Sequence, residues 1–189
     1  KSPASFDPTK LTAFQQRAMD QLDLKQKTAQ SLPYLQQAGF IDTPPNCDTA
    51  PYVNSIITAS EQRMTVAGDI LDYAHFFTDD NALVYDDKSF SKRISNANGA
   101  VELLRDFANT LAAIESYNAA SVEGAMRQFI ADRELKFGQV VQPVRVAITG
   151  KPAGFGLFDT LAILGQQRCL NRIERAISLV PISPDNDSA

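Results

Sequence analysis

The stretch VRVAITGKPAGFGLFDTLAILG, Val144 to Gly165, contains two apolar segments joined by a glycine-rich segment. A phosphate-binding P-loop requires a glycine, four further residues and then Gly-Lys-Ser/Thr, following a strand. Here Gly-Lys comes first, Pro152 stands where the hydroxyl residue should be, and both flanking segments have helical spacing. Neither the P-loop nor the dinucleotide fingerprint therefore fits. The stretch predicts that Gly150 ends one helix and that Leu157 begins another.

Helical periodicity continues along nearly the whole chain, and no stretch alternates apolar and polar residues long enough to indicate a strand. We therefore predict an all-α fold. Asp7 and Asp23 are typical N-caps, and Gly39 is typical of a helix end. Turn residues and charges concentrate between Tyr85 and Asn98, which favours a division there. The expected parts are a first helical bundle over residues 1–84, a second over residues 85–180, and a frayed tail over residues 181–189. The expected helices span residues 8–22, 23–39 (bent at Pro33), 52–77 (as one or two), 101–112, 121–135, 140–148, 157–164 and 166–179.

The composition is that of a globular protein, with 189 residues of which 44% are hydrophobic. No run approaches the roughly 20 apolar residues that span a bilayer, and the start at Lys1 has no apolar signal region, so we expect no membrane contact and a cytoplasmic location. The opening residues read as the interior of a longer protein. The net charge of −4 is unevenly distributed: residues 1–123 carry −6, whereas residues 124–175 carry +4. This basic segment indicates either a polyanionic partner or solvated helix faces.

Residues for catalysis are few. His75 is the one histidine and stands in an apolar helical pattern, which favours a structural role. Cys47 and Cys169 are too few and too far apart for a zinc site or a disulfide framework, so we expect two free thiols. The acidic pairs at residues 79–80 and 86–87 are typical of turns and caps. No metal site and no catalytic residue are predicted.

The glycine-rich segment instead carries Lys151, Phe155 and Phe158 near a helix N-terminus, with Arg145 one helix earlier. Aromatic rings beside basic groups and free amides suit unstacked RNA bases and their phosphates. The alternative is a helical hairpin whose phenylalanines belong to the core. Both interpretations remain open at this point.

A longer pattern resembles a known family. The run FGQVVQPVRVAITG…GLFDTLAILGQQRCLNRIERAI, Phe137 to Ile177, is similar to the C-terminal anticodon-binding region of bacterial glutamyl-tRNA synthetases. SPASFDPTKL, near the start of the chain, resembles the segment that follows the catalytic half in that family. QRMTVAGDILDYAHFF resembles its Arg-x-x-Thr-Leu helix and aromatic pair.

The resemblance implies two all-helical subdomains that together bind the anticodon stem and loop of tRNA-Glu. It also implies a parent ligase that attaches glutamate with ATP and magnesium. The ATP-site signatures of the family, resembling His-Ile-Gly-His and Lys-Met-Ser-Lys-Ser, are absent from these 189 residues. We therefore expect no cofactor in this chain, no activity from it alone, and a monomer. The alternative is an all-helical protein-interaction module that shares the fold without reading tRNA.

The resemblance also assigns roles to particular residues. Arg63 matches a helical arginine that reads the third anticodon base, and Arg127 and Arg145 match arginines that approach the anticodon loop. Leu157 and Phe158 match a pair against which bases pack. The sequence departs from the family at Phe155, where proline is usual, and at Gly154, where some members have threonine. Its KLTAFQQRAM segment also lacks the Trp-x-Asn that usually follows Lys-Leu.

Overall fold

The computed structural model describes residues 7–60 and 63–181 of the chain. Every regular element in these ranges is helical, so the prediction of an all-α fold is confirmed. The chain forms two compact units, one up to Phe77 and one from Thr78. This division falls earlier than the boundary expected at residue 84. Residues 182–189, nearly all of the predicted tail, lie outside the described ranges.

The first unit contains α1 (Pro8–Asp20), α2 (Leu24–Gln37), α3 (Thr49–Ser60) and a 3-10 helix (Ala67–Phe76). The predicted N-caps are confirmed. Asp7 accepts a hydrogen bond from the Thr9 amide at 3.0 Å, and Asp23 and Gln26 form a reciprocal capping box. The segment predicted as one or two helices over residues 52–77 forms two, and the second has 3-10 rather than α geometry.

The core of the first unit lies where α2, α3 and the 3-10 helix pack together. A hydrogen bond joins the hydroxyl of Thr28 on α2 to the side chain of Asn54 on α3. The Tyr52 hydroxyl donates to the carbonyl oxygen of Phe76 at 3.0 Å, which fixes the end of the 3-10 helix against α3. The apolar side chains buried here include Leu35, Val53, Ile56, Ile57, Ile70 and Phe76.

The second unit begins with a 3-10 turn (Asp80–Ala82) and α4 (Asp87–Phe90), which continues as a π-helical turn (Ser91–Ser95). Five longer helices follow: α5 (Ala100–Ala112), α6 (Ala119–Asp132), α7 (Phe137–Thr149), α8 (Leu157–Leu164) and α9 (Gln166–Ser178). The helices predicted from periodicity in this half are confirmed. Their core includes an edge-to-face pair of Phe107 and Phe129, whose ring centroids are 5.3 Å apart.

Arginines of α9 attach residues 78–86, here called the strap, to the second unit. Arg172 is fully buried, and its guanidinium donates to Asp80 at 2.7 Å and to the carbonyl oxygen of Ile148 at 2.7 Å. Arg168 also reaches Asp80 and Thr78, and Arg175 donates to the Leu83 carbonyl oxygen at 2.6 Å. These bonds explain why the strap belongs to the second unit and the division lies before Thr78.

The electrostatics of Asp80 follow from this arrangement. Partial burial acts to raise the pKa of its carboxyl group, but the hydrogen bond from Arg172 and the charges of Arg168 and Arg172 outweigh it. The pKa of Asp80 is therefore lowered. Because a buried guanidinium without a counter-charge is costly, Asp80 is the partner that makes the burial of Arg172 tolerable.

Candidate nucleic-acid interface

The loop of residues 150–156 joins α7 to α8 and has a defined conformation. Gly150 ends α7 with a φ of 72°, as predicted for a helix-ending glycine. Its carbonyl oxygen accepts a hydrogen bond from the Asp86 amide at 2.8 Å, and a Cβ at this position would lie 2.1 Å from the Val84 carbonyl oxygen. The close approach of the strap, together with the positive φ, therefore requires glycine here.

Three predicted site residues support this loop from inside. The Arg145 guanidinium is half-buried and donates to the carbonyl oxygen of Phe155 at 2.9 Å. The side chains of Phe155 and Leu157 are 3% and 5% exposed. For Phe155 the structure agrees with the alternative that we derived from the loop residues, a hairpin whose phenylalanines belong to the core. Lys151, by contrast, is exposed at the start of the loop.

An aromatic and basic surface lies beside the loop. Phe158, half-buried on α8, packs edge-to-face with Phe137 at the start of α7, with centroids 6.4 Å apart. The Phe137 ring is 45% exposed, and the Arg127 guanidinium lies over it at 5.8 Å from the centroid. Arg127 also pairs with Glu123 at 2.7 Å, and its side chain remains 63% exposed. We call Arg127, Phe137 and Phe158 the Phe137 surface.

Phe137 was not among the predicted site residues, although it opens the motif on which the resemblance rests. Its position as the first residue of α7 leaves the ring outside the core that Val140, Val141 and Val144 enter. The sequence signal that could have identified Phe137 was its place as a large aromatic residue just before a regular apolar pattern.

Arg63 lies in the first unit and is exposed. It has 3-10 geometry and lies after α3, which ends at Ser60, and before the 3-10 helix Ala67–Phe76. The sequence pattern predicts one or two helices over residues 52–77. The connection is fixed nearby, because the carboxylate of Asp69 accepts hydrogen bonds from the amides of Thr65 and Val66 at 2.6 and 2.9 Å. Burial raises the pKa of Tyr73, and the positive charge of Arg63 acts in the opposite direction.

The basic segment proposed from the charge distribution is partly structural. Arg168, Arg172 and Arg175 bind the strap, and Arg145 braces the loop. The exposed cations left between residues 124 and 175 are Arg127, Arg133, Lys136 and Lys151. The charge pattern therefore overstated the basic surface that is open to a polyanion.

The cysteines, the histidine and the acidic pairs were the residues considered for catalysis, and the contacts that the structure gives them include packing contacts, capping contacts and, for Asp80, ion pairs. Cys47 and Cys169 are free thiols, as predicted, and burial raises the pKa of Cys169 to about 12, so its thiol stays protonated. The half-buried ring of His75 packs against Phe76 with centroids 4.5 Å apart. Asp79 and Asp86 cap turns through the amides of Asn81 and Ser89. Within the described residues, no group of three or more His, Cys, Asp or Glu side chains is arranged to hold a metal ion.

Most of this chain matches a known family of domains. The family of anticodon binding domains matches residues 13–177. The chain belongs to this family. Among the described parts of this anticodon-binding domain, no helix is long and apolar enough to cross a membrane.

Curated relatives of the domain include glutamate–tRNA ligases. The ligase of Moorella thermoacetica is 32% identical over 177 residues, which cover 93% of this chain and 36% of the ligase. A glutamate–tRNA ligase of Thermoanaerobacter pseudethanolicus is 29% identical over 180 residues, covering 95% of this chain and 36% of the ligase. The domain thus spans about a third of the length of the curated relatives it matches. The resemblance inferred from the motifs is confirmed.

Solved structures show the same fold. A glutamate tRNA ligase from Elizabethkingia meningosepticum superimposes with a TM-score of 0.80 at 19% sequence identity, covering 93% of this chain and 33% of that one. At this level of identity the likeness concerns the fold alone.

Proposed function

We propose that this domain binds the anticodon stem and loop of tRNA-Glu as part of a glutamate–tRNA ligase. The observation that supports this best is the Phe137 surface, where two aromatic rings and a guanidinium lie together at the surface of an anticodon-binding domain. Unstacked bases bind aromatic faces at about 1–3 kcal/mol per base, whatever the base. The arginine adds attraction for the phosphates that connect those bases.

The residues of this site divide by their exposure. Phe158 and Phe137 offer surfaces to bases, and Arg127 and Lys151 are accessible to phosphate oxygens. Arg145, Phe155 and Leu157 act indirectly, because they hold the loop and the start of α8 in place from within. In this proposal the departure from the family at Phe155 changes the packing beneath the surface rather than a contact with RNA.

Arg63 has a separate role in the proposal, which is to read the third anticodon base. A guanidinium presents a planar fork of donors, which matches the keto oxygen and ring nitrogen of cytosine. Guanine presents donors on the corresponding edge. Since glutamate and glutamine anticodons differ in this base, Arg63 would favour the glutamate anticodon.

The catalytic half of the ligase lies outside this chain in the proposal, and ATP and magnesium bind there. The purified domain is then expected to be a monomer that shows no glutamate-dependent ATP–pyrophosphate exchange. Measurable exchange by the domain alone would contradict this division of labour.

The test of the proposed function is binding of the domain to an RNA hairpin with the anticodon arm of tRNA-Glu, measured over a range of salt concentrations. Contacts with about three to five phosphates predict a plot of log affinity against log salt with a slope of about −2 to −4.5. A hairpin with an unrelated loop and the same stem is the control. Absence of binding, or equal binding to both hairpins, would reject anticodon recognition and favour a protein-interaction module with this fold.

A further inference from the structure

A cleft of about 470 Å³ lies in the second unit, beside the first turns of α7. Its walls come from the π-helical turn after α4, the first turns of α5 and α7, and the connection between α6 and α7. None of its side chains belongs to the Phe137 surface. Half of the residues that line the cleft are small or apolar, and the other half carry charged or amide side chains: Lys92, Arg93, Asn98, Asp106, Arg133, Gln139 and Gln142.

The charge of this cleft is opposite to that of the whole chain. Three cationic side chains face a single carboxylate, whereas the chain carries a net charge of −4. The carboxylate, Asp106, is paired with Arg133 at 3.2 Å, and both side chains are largely exposed. Such a pair is weak in water, so it leaves Arg133 available to an anion.

Lys92 and Arg93 carry the excess charge. Neither has an ion pair or a hydrogen bond through its side chain to the rest of the described chain. They are neighbours in the π-helical turn Ser91–Ser95, and the adjacent Ile94 is fully buried and anchors this turn in the core. The two cations are therefore held at one wall of the cleft by a fixed piece of backbone, although their own side chains have no partner that would fix them.

Arg133 is fixed in another way. Its guanidinium lies over the Phe129 ring at 4.0 Å from the centroid, and that ring is part of the core. A planar cation that rests on an aromatic ring and lines a cleft still has edge donors for phosphate oxygens. The amides of Asn98, Gln139 and Gln142 add neutral donors around it. This set of groups suits a chain of phosphates better than a single carboxylate.

The cleft is continuous with the Phe137 surface along the chain. Phe137 belongs to that surface, and the next residue, Gly138, lines the cleft. Arg127 and Arg133 stand on α6 and at its end, one on each of the two surfaces. A nucleic acid bound at the Phe137 surface therefore has a basic cleft within reach of its adjoining backbone.

We propose that this cleft binds the phosphodiester backbone of the stem of the same RNA whose loop contacts the Phe137 surface. This inference rests on the proposed function and assigns the contact with the stem backbone to particular residues of the second unit. Lys92, Arg93 and Arg133 contact successive phosphates, and no base is read. The cleft contributes affinity and orientation, whereas the Phe137 surface and Arg63 contribute selectivity.

The test uses the double variant Lys92→Gln with Arg93→Gln, which removes two charges and keeps side chains of similar length. The control is Arg105→Gln, because Arg105 is exposed on α5 but lines a different groove, beside α9. Two RNAs are compared, the full anticodon hairpin and a single-stranded oligonucleotide of its loop. Melting temperatures of all variants are measured first, to restrict the comparison to folded protein.

The double variant is expected to bind the hairpin about 10- to 50-fold more weakly in low salt and to lower the salt slope by about 1.8, since each duplex phosphate contact contributes about 0.9. Its binding to the single-stranded loop is expected to be unchanged, whereas Phe158→Ala weakens binding to both RNAs. Hairpin affinity and slope equal to those of the Arg105 control would overturn the proposal, as would equal losses on both RNAs.

Two further outcomes are separable from these. If wild-type protein fails to bind the hairpin, the proposed function falls and the stem contact falls with it. If wild-type protein binds the hairpin and inorganic phosphate raises its melting temperature, but the double variant loses only the phosphate effect, the cleft is a site for a small anion and the assignment to RNA is overturned.

Discussion

Phe155 and Phe158 are close in sequence, but Phe155 supports the proposed recognition surface and Phe158 belongs to it. Replacing each of them in turn separates these two roles. Phe155 is 3% exposed and lies in the loop, whereas Phe158 is half-buried and its ring faces that of the exposed Phe137. The substitutions Phe155→Ala and Phe158→Ala remove the same atoms from these two environments. Phe155→Ala is therefore expected to lower the stability more, whereas Phe158→Ala is expected to lower the affinity for RNA more.

The magnitudes follow from the two environments. Removing a fully buried phenylalanine leaves a cavity and costs about 3–5 kcal/mol of unfolding free energy, which we expect for Phe155→Ala. A half-buried ring should cost about half as much, so Phe158→Ala is expected to destabilise the domain by about 2 kcal/mol. If Phe158 stacks on a base, its loss also removes about 1–3 kcal/mol of binding, a weakening of about 5- to 150-fold.

The assay combines urea unfolding of each variant with binding of the anticodon hairpin at one fixed salt concentration. Binding is analysed for the folded fraction, so that loss of stability is not counted as loss of affinity. Phe158→Tyr is the conservative control, since it keeps the aromatic face and should bind as the wild type does. Wild-type affinity in folded Phe158→Ala would refute the stacking role and return this ring to the core.

Three further predictions concern recognition and stability. Arg63→Gln should reduce the preference for the glutamate over the glutamine anticodon by about 1–3 kcal/mol, measured on two hairpins that differ in the third anticodon base. An equal loss of affinity for both hairpins would indicate a phosphate contact instead. Asp80→Asn should cost about 3–5 kcal/mol of unfolding free energy at neutral pH, because it leaves the buried Arg172 without its counter-charge. The pKa of Asp80 is lowered from 3.8 in the folded state. The difference in unfolding free energy between the wild type and Asp80→Asn should therefore be complete above about pH 5 and shrink as the pH falls below 4. A constant difference down to acid pH would contradict the ion pair. Gly150→Ala should destabilise the domain more than Gly99→Ala. Both glycines have a φ of 72°, but an added Cβ would lie 2.1 Å from a carbonyl oxygen at Gly150 and would meet nothing within 4 Å at Gly99. Equal melting temperatures of the two variants would show that the strap moves freely.

The parts of the fold that sequence predicts best are those determined by near neighbours. Asp7 and Asp23 cap helices through amides two or three residues away, and Gly150 ends α7 through its own backbone conformation. Helical periodicity depends on spacings of three and four residues, which explains why the helices of the second unit were found with small errors at their ends. These signals lie within a few residues and need no knowledge of the tertiary structure.

The parts that sequence does not predict depend on distant partners. Nothing near Asp80 in sequence indicates that Arg172, on the last helix, will bind it, and this pair moves the division of the chain to Thr78. For the same reason the charge count between residues 124 and 175 did not separate arginines that bind the strap from those that face solvent. The burial of Phe155 beside the half-exposed Phe158 likewise depends on how α8 packs, which the glycine-rich loop does not reveal.

The buried arginines and the proposed recognition surface are parts of one arrangement. The α9 arginines hold the strap at Thr78, Asp80 and Leu83, and the strap in turn binds Gly150 through the Asp86 amide. The loop that begins at Gly150 is therefore tied to the core at its start, and the bond from Arg145 to Phe155 ties it at its end. A loop ordered before binding loses little conformational entropy on meeting RNA, so more of the stacking energy appears as affinity. Weakening the strap, as in Asp80→Asn, should then reduce hairpin affinity even though no strap residue contacts RNA in this proposal, and it should do so without changing the preference between the two anticodons.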